Sequence, residues 1–351
     1  MVSKIYECKS PVFIVGPSRS GTELVRSILN KHSGIYIVGE THYFDDLRTR
    51  LDPTIEANQP AIVDGLLRIQ NRPYGLPLTT DNVLRSELVV RAASHAGGID
   101  SVFEAYCEMC AEHRGKVRWG EKTPRHIFRI EEILEGFPAA KIIIMVRDAR
   151  SVIASYRDWS AGIDKLVARG RLTAEDISRE SRRVRASYHP LVLGLLWNAA
   201  INCALRARRK HGSARIYTQQ FENLIVNPRE EIERLLWWLE LPFEPDLLEV
   251  PVINSSYSNG GDSRTGFQQE AHSRWLDTLT ESEVAVIQLV CARHLQRFNY
   301  KMTVVRGGWS AIICAVATLG VAAVKATFAN RGRFYGVSKY ILVRLRSAIG
   351  L

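Results

Sequence analysis

The sequence lacks several features that would indicate an extracellular, metal-binding or repetitive protein. Its six cysteines are scattered, so they do not indicate a disulfide framework, and we expect a reducing cytosol. Cys107 and Cys110 form a C-x-x-C pair without a second pair at zinc-like spacing, and we expect both to pack in a helical core. The first ten residues contain no apolar run, so we expect no signal peptide. Low-complexity tracts and internal repeats are also missing.

Acidic residues are absent from residues 303–351, which contain seven lysines and arginines. The net charge of +10 therefore falls to +3 for residues 1–302, so the isoelectric point does not support nucleic-acid binding. This asymmetry predicts a main domain over residues 1–302 and a basic helical tail over residues 303–351.

A lysine is missing from a stretch that otherwise has the pattern of a phosphate-binding loop. The apolar run 12–15 leads into a Gly- and Ser-rich turn, "GPSRSG", and then into a helical pattern. The ATP-binding form G-x-x-x-x-G-K-[ST] would have lysine where this chain has Thr22, and Arg19 lies inside the loop instead. Gly16 and Gly21 permit close backbone approach, and N–H groups ahead of a helix bind anions. A strand-to-helix turn without a ligand is the alternative.

A second anion site is predicted within "KIIIMVRDARSVIASYRDW", residues 141–159. Arg147 directly follows an apolar strand, and Ser155 lies about two turns into the next helix. Open parallel sheets bind ligands at this edge, so the two sites are adjacent if their strands are neighbours. The alternative is a surface ion pair between Arg147 and Asp148.

Apolar runs followed by helical sequence favour a parallel sheet with crossover helices. The expected fold is therefore three-layer α/β of the P-loop type. Strand-like runs lie at residues 12–15, 35–40, 142–146 and 214–217, and helical patterns at 21–31, 60–70, 82–113, 147–159, 191–210, 228–241 and 280–300. We interpret the charged segment 160–190 as an insertion or lid and 252–273 as a mobile loop.

In combination, these stretches resemble the sulfotransferases that use 3′-phosphoadenosine 5′-phosphosulfate (PAPS), in their bacterial and tyrosylprotein-type branch. "GPSRSGTELVRSILNKHSGI" resembles the 5′-phosphosulfate loop and "RDARSVIASY" the 3′-phosphate site. "QFENLIVNPREEIERLLWWLEL" resembles a downstream block in which Phe221 replaces a tyrosine near the adenine, and "WGEKTPRH" and "HSRW" resemble further blocks. The resemblance covers about residues 11–300 and implies PAPS as co-substrate without a metal.

The resemblance also implies which residues contact the donor, with Arg274 as the weakest candidate because a basic residue beside tryptophan is more often a packing feature. The implied donor contacts are Pro17, Ser18, Arg19, Ser20, Gly21, Thr22, Arg147, Ser155, Phe221 and Arg274.

Catalysis by this family implies fixed positive charge at the leaving phosphate oxygen and a base for the acceptor proton. Arg19 is the first candidate for the charge and Lys122 the second. Glu40, 21 residues after Arg19, matches the catalytic glutamate of the tyrosylprotein-type enzymes, and His42 is the rival base. The alternative for Glu40 is a surface ion pair with Arg48 or Arg50.

Glu23 stands where many relatives of this family carry threonine. An anion next to the donor loop has no obvious benefit, so we expect an outward-facing rotamer in the first turn of the helix.

The tail contains an apolar stretch, 309–328, with Lys325 as its one charge. It is long enough to span a bilayer, although its many Ala, Gly and Thr residues make insertion marginal. Residues 333–351 have the pattern of a basic amphipathic helix suited to an anionic surface. We expect membrane association on the cytoplasmic face, and a helical hairpin folded onto the main body is the alternative.

The predicted function is transfer of the sulfuryl group of PAPS to a hydroxyl or amine of a carbohydrate, lipid-linked glycan or peptide, without nucleic acid. A P-loop kinase of a small metabolite is the first alternative, and the missing G-K-[ST] and the Arg147–Ser155 pair disfavour it. A non-catalytic nucleotide-binding membrane adaptor is the second.

Overall fold

A computed structural model describes residues 10–51, 59–70, 82–95, 98–157, 174–249, 266–267, 269–306, 308–330 and 344. Within these residues, parallel strands form one sheet in the order β2-β3-β1-β4-β5. The strands are β1 Val12–Val15, β2 Ile35–Val38, β3 Arg118–Lys122, β4 Lys141–Val146 and β5 Ile216–Gln220.

Helices cover both faces of this sheet. The α-helices are α1 Thr22–Lys31, α2 Gln59–Gln70, α3 Asn82–Ser94, α4 Ser101–Glu112, α5 Ile130–Gly136, α6 Ala149–Arg157, α7 Ala174–Ser187, α8 Pro190–Arg215, α9 Phe221–Val226, α10 Pro228–Leu239, α11 Trp275–Thr278, α12 Glu281–Arg297 and α13 Gly308–Asn330. Single turns of other helix types lie at Tyr43–Leu47, Arg48–Arg50, Pro124–Phe128, Pro245–Leu248 and Gln269–His272.

The alternation of side chains along β1 explains the three layers. Val12 and Ile14 pack in the same apolar cluster as residues of α1, α9 and α10. Phe13 and Val15 pack on the other face, in the cluster that includes residues of α4, α5, α6, α8 and α12. Strand β1 is buried on both faces and is a continuous apolar run, as is typical of parallel sheets. The predicted three-layer α/β fold is confirmed.

Aromatic packing ties the sheet to the turn that follows β2. The Phe13 ring lies 6.0 Å from Phe44 and 5.9 Å from Trp119, centroid to centroid, in edge-to-face geometry. Phe103 of α4 stacks on Tyr43 at 4.6 Å. These contacts hold residues 43–44 against the core, immediately after Glu40 and His42.

The structure differs from the sequence expectations in four places. The strand predicted at 214–217 is β5 Ile216–Gln220, because residues 214–215 end α8. Strand β3, "RWGEK", was not predicted, because its sequence is not apolar and its central position comes from pairing with β1 and β2. The pattern at 82–113 divides into α3 and α4. The interval 160–190 contains α7, while residues 158–173 lie outside the described residues, as does most of the predicted loop 252–273.

Gly120 in β3 provides a test of the central pairing. A Cβ at this position would lie 2.4 Å from the backbone oxygen of Val12, so Gly120→Ala must push β3 away from β1. We expect a loss of about 1–3 kcal/mol in the free energy of unfolding, measured by urea denaturation. Gly39→Ala is the matched control, because its Cβ would meet nothing within 4 Å. Equal stability of the two variants would contradict the pairing described for β3.

Candidate active site

The predicted site residues follow the carboxyl ends of neighbouring parallel strands, so they gather at one edge of the sheet. The loop 16–21 follows β1, Glu40 follows β2, Lys122 ends β3 and Arg147 follows β4. The register places Ile14 opposite Lys122 and Val38 opposite Glu121. Strands β1 and β4 are neighbours, as the prediction of adjacent anion sites required.

The loop after β1 has the backbone geometry of an anion site. Gly16 donates its N–H to Pro124 O at 3.1 Å, and a Cβ there would lie 2.5 Å from Met145 O. Gly21, in the left-handed region with φ 92°, precedes α1 without a side-chain cap from the described residues. A Cβ at Gly21 would meet the Phe221 ring at 2.4 Å. The uncapped N-terminus of α1 therefore opens onto a loop in which only glycine fits at both ends.

Ser20 supplies a second indication that this loop holds a polar group. Its side chain is fully buried, and its Oγ has no hydrogen-bond partner among the described residues. A buried hydroxyl without a partner is costly, and an anionic ligand oxygen would satisfy it. The loop therefore fits the phosphosulfate group that the resemblance implies.

The predicted 3′-phosphate residues contact the loop directly. Arg147 Nη1 donates to Arg19 O at 3.1 Å, and the guanidinium lies 4.2 Å from the centroid of the Phe221 ring. Arg19 Nε donates to Ser155 Oγ at 2.9 Å. Asp148 pairs with Arg150, Nη2 to Oδ2 2.6 Å, which contradicts the alternative of an Arg147–Asp148 pair. The two predicted anion sites are therefore one continuous cluster of cations and hydroxyls.

Arg274 lies half-buried just before α11, next to this cluster. The segment before it is in contact with the 3′-phosphate region, because Ala271 O accepts from Arg147 Nη2 at 2.6 Å and His272 O from Ser151 Oγ at 3.0 Å. Trp275 stacks with Arg150 at 4.1 Å, so the tryptophan has a packing partner of its own. A donor contact by Arg274 stays a prediction.

A second cluster joins Glu40 to the start of α1 through Lys122. Lys122 Nζ lies 2.8 Å from Glu40 Oε1 and 2.9 Å from Glu23 Oε2, and its side chain is only 6% exposed. Burial works against the charge of this amine, but the carboxylates of Glu40 and Glu23 outweigh it and raise the pKa of Lys122 above its usual value. Lys122 is therefore held in its charged form between Glu40, the predicted base, and the start of α1.

Glu23 does not take the outward-facing rotamer that we expected. It accepts from Arg26 Nη2 at 2.6 Å as well as facing Lys122. Burial raises the pKa of Glu23, but Lys122 and Arg26 together lower it below its usual value. The anion near the donor loop is thus neutralised by two cations, and it anchors Lys122 to α1.

His42 has a hydrogen-bond arrangement that defines its tautomer. Its Nδ1 lies 2.8 Å from Arg125 Nη2, and a guanidinium can only donate, so Nδ1 must accept. The ring proton then lies on Nε2, which is 3.4 Å from Glu40 Oε2. Glu40 thus pairs with Lys122 and His42, whereas Arg48 pairs with Asp100 and Glu135. The alternative of a surface pair between Glu40 and Arg48 is wrong, and the side chain of Arg50 lies outside what the structure describes.

Sequence reasoning did not single out Glu121, a fully buried carboxylate beneath these residues. Glu121 Oε1 accepts from the N–H of Thr41 at 3.1 Å, from its hydroxyl at 2.9 Å and from the Thr123 hydroxyl. The Thr123 hydroxyl in turn accepts the N–H of His42 at 3.3 Å. This network fixes the backbone that carries Glu40 and His42. In the sequence, a glutamate next to Lys122 does not indicate a buried hydrogen-bond network, because the burial of Glu121 is evident only once β3 is known to be an interior strand.

The model of the sulfotransferase family matches residues 11–245, about two thirds of the chain. The chain belongs to the sulfotransferase family. It is therefore an enzyme of sulfuryl rather than phosphoryl transfer, which excludes the non-catalytic adaptor and disfavours the metabolite kinase considered above.

Several relatives of this sulfotransferase are protein-tyrosine sulfotransferases by name. That of Drosophila melanogaster is 26% identical over 239 residues, 68% of this chain and 39% of its own length. The putative protein-tyrosine sulfotransferase of Caenorhabditis briggsae is 24% identical over 280 residues, 77% of this chain and 82% of its own. The sulfotransferase domain of the Synechococcus PCC 7002 olefin synthase is 18% identical, covers 86% of this chain and 99% of that domain, and has a TM-score of 0.51, so it shares the fold.

The lowered pKa of Glu23 predicts a pH dependence of stability. A carboxylate with a folded-state pKa below its unfolded value stabilises the protein above the unfolded pKa of about 4.3, and this contribution is lost as the pH falls through the folded pKa. Glu23→Gln should lower the free energy of unfolding by about 1–2 kcal/mol at pH 7. The difference from the wild type should decrease towards zero as the pH falls to about 3.

The difference is measured by urea unfolding between pH 3 and pH 7. Glu230→Gln, at an exposed glutamate paired with Arg234, is the matched control and should show a small difference throughout. If the difference in free energy of unfolding between wild type and Glu23→Gln does not change with pH, the ion cluster is contradicted.

Proposed function

We propose that this sulfotransferase transfers the sulfuryl group of PAPS to a hydroxyl, or an amine, of a carbohydrate, lipid-linked glycan or peptide. The observation that carries the proposal is the direct contact of Arg19 with Ser155 and Arg147, which joins a phosphate-type loop to a second anion site. A ligand with phosphates at two separate positions fits that cluster, and PAPS is such a ligand.

The donor contacts divide between the two parts of the cluster. The N–H groups at the start of α1 and the hydroxyl of Ser20 are suited to the 5′-phosphosulfate. The guanidinium of Arg147 and the hydroxyl of Ser155 are suited to the 3′-phosphate, and the face of Phe221 to the adenine ring. Pro17, Ser18 and Thr22 belong to the same loop, and their contacts rest on the resemblance.

Glu40 is the favoured base for the acceptor proton. Its carboxylate follows β2 at the sheet edge and is about one third exposed, so an acceptor can reach it. His42 is less suited, because its Nδ1 is occupied by Arg125 and its Nε2 carries the proton. When the acceptor oxygen bonds to sulfur, its proton passes to Glu40, and the bond from sulfur to the leaving phosphate oxygen breaks.

Arg19 and Lys122 are the groups suited to the charge that develops on the leaving oxygen. Arg19 lies in the loop itself, and Lys122 is connected to that loop by Glu23. Lys122 is also paired with Glu40, so one buried cation can respond to both the base and the leaving group. No step of this scheme requires a metal, in keeping with the family resemblance.

The names of the relatives support a hydroxyl acceptor and favour a peptide, since tyrosine carries a phenolic hydroxyl. A carbohydrate or lipid-linked glycan stays within the proposal, because each offers a hydroxyl of the same reactivity class.

Glu40→Gln tests the base. We expect kcat for sulfuryl transfer from PAPS to fall by about 10²–10⁴-fold, because the amide cannot accept the acceptor proton. Binding of the product nucleotide, measured by calorimetry, should stay within about twofold, since the donor cluster is untouched. His42→Ala is the matched variant and should lose much less activity. Turnover by Glu40→Gln close to that of the wild type would remove Glu40 from the role.

Arg147→Ala tests the donor site. The wild type should bind 3′-phosphoadenosine 5′-phosphate more tightly than adenosine 5′-phosphate, and the variant should lose most of that preference because the guanidinium contacts the 3′-phosphate. We expect a loss of about tenfold or more in affinity for the doubly phosphorylated nucleotide. Arg234→Ala, at an exposed arginine of α10, is the control. A preference for the 3′-phosphate that survives Arg147→Ala would place that subsite elsewhere.

A further inference from the structure

Helix α13 is an apolar helix that lies largely uncovered by the described part of the chain. Two described helices, α8 and α13, are long and apolar enough to cross a membrane. Helix α8 is a core helix, with Trp197 and Ile201 fully buried. In contrast, only 6% of the most apolar 18-residue stretch of α13 is buried. The two helices therefore need different explanations, and only α13 is a candidate for contact outside the chain.

Helix α13 touches the main body along one narrow seam. Ala315 packs with Leu191 of α8 and Val286 of α12. Three polar contacts continue the seam: Thr318 Oγ1 with His189 at 3.1 Å, and Asn330 with Arg183 at 2.9 Å and with Ser187 Oγ at 2.8 Å. The seam runs from the middle of the helix to its last residue, so α13 is docked lengthwise.

The opposite side of α13 carries a broad apolar face. Its large side chains are 56–76% exposed, and at 3.6 residues per turn they fall within an arc of about 140° that contains no charge. This exposed α13 face consists of Trp309, Ile313, Val316, Val321, Val324 and Phe328. Single exposed apolar residues are ordinary, but six on one helix face mark an interaction surface.

We propose that the exposed α13 face lies in the plane of an anionic lipid bilayer, so that the sulfotransferase is held on the membrane surface. The two-sided character that an in-plane helix needs comes here from the fold, because one side of α13 packs on the protein and only the apolar face is left to meet lipid. The proposal does not depend on the sulfotransferase chemistry, and cytoplasmic placement stays a prediction.

The charge of the C-terminal segment identifies anionic lipid as the partner. Residues 303–351 contain seven basic residues and no acidic residue, and six of the seven are left to attract lipid, because Arg344 is buried against Phe128. Arg306, just before α13, and Lys325, beside the face, are both exposed. Headgroups of anionic lipid complement this charge. A second copy would bring two equally basic segments together, so self-association through the same face is disfavoured.

Lengthwise docking also excludes the spanning arrangement that the sequence allowed. Helix α7 lies against α13 and contains Arg182, Arg183 and Arg185. If α13 spanned the bilayer in this arrangement, these guanidinium groups would enter the hydrocarbon, where charged side chains are strongly disfavoured. Lying in the plane keeps them on the aqueous side.

Vesicle flotation with the full chain tests the surface. We expect binding to vesicles of phosphatidylcholine with phosphatidylglycerol, weaker binding to phosphatidylcholine, and a decrease with salt. The triple variant Trp309→Ser, Ile313→Ser, Phe328→Ser should lose about tenfold or more in partitioning. Trp237→Ser, at a tryptophan 81% exposed on α10, is the matched control and should bind normally. Normal vesicle binding by the triple variant would overturn the proposal. Dimerisation of the wild type that the triple variant abolishes would also overturn it, because the face would then bind a second copy of the chain.

Depth measurements distinguish lying from spanning. Ser310, Ala317 and Val324 are exposed, one heptad apart, and lie within the arc of the exposed α13 face. Each is replaced by cysteine and labelled one at a time in a Cys8→Ser, Cys314→Ser background. Lipid-attached quenchers should report the same shallow depth for all three labels. A label at 317 that is much deeper than those at 310 and 324 would show a spanning helix and overturn the in-plane arrangement.

Discussion

The parallel pairing of β1 with β3 on one side and β4 on the other is the constraint on which the rest of this molecule depends. Because carboxyl ends of parallel strands meet at one edge, residues far apart in the sequence are brought together there. The loop 16–21, Lys122 and Arg147 lie at the carboxyl ends of the three central strands, and Glu40 follows β2 beside them. Gly120 permits the close approach of β3 to β1. Without β3 in the middle, Lys122 would lie away from both the loop and the base.

Electrostatic balance organises the side chains at this edge. Cations and carboxylates alternate from Arg26 through Glu23 and Lys122 to Glu40, so each buried charge has an opposite neighbour. A buried charge that loses its partner is strongly unfavourable, which makes the chain of contacts cooperative. The loop 16–21 supplies Arg19 to one cluster, and the first turn of α1 supplies Glu23 to the other. Arg19 and Glu23, four residues apart, therefore connect the two clusters through the start of α1.

The predictable features were those with a local signal. The apolar runs of β1 and β4 and the glycines of the loop are visible in the sequence, because burial on both faces and close backbone approach each require particular residue types. Arg147 and Ser155 were recognisable from their spacing after a strand. Strand β3 had no such signal, and neither did the role of Glu121, because both depend on neighbours contributed by β1 and β2.

The resemblance to a known family supplied the candidate catalytic side chains, whereas the sequence by itself determined the α/β class, the two stretches predicted to bind anions and a C-terminal segment that is apolar and basic. These are properties of composition and local period, which need no knowledge of distant contacts. The tertiary structure decided that Glu23 turns inward to Lys122, that the Nδ1 of His42 accepts from Arg125, and that α13 docks along a seam with its apolar face outward. Each of these depends on a partner from another part of the chain, and only the fold brings the partners together.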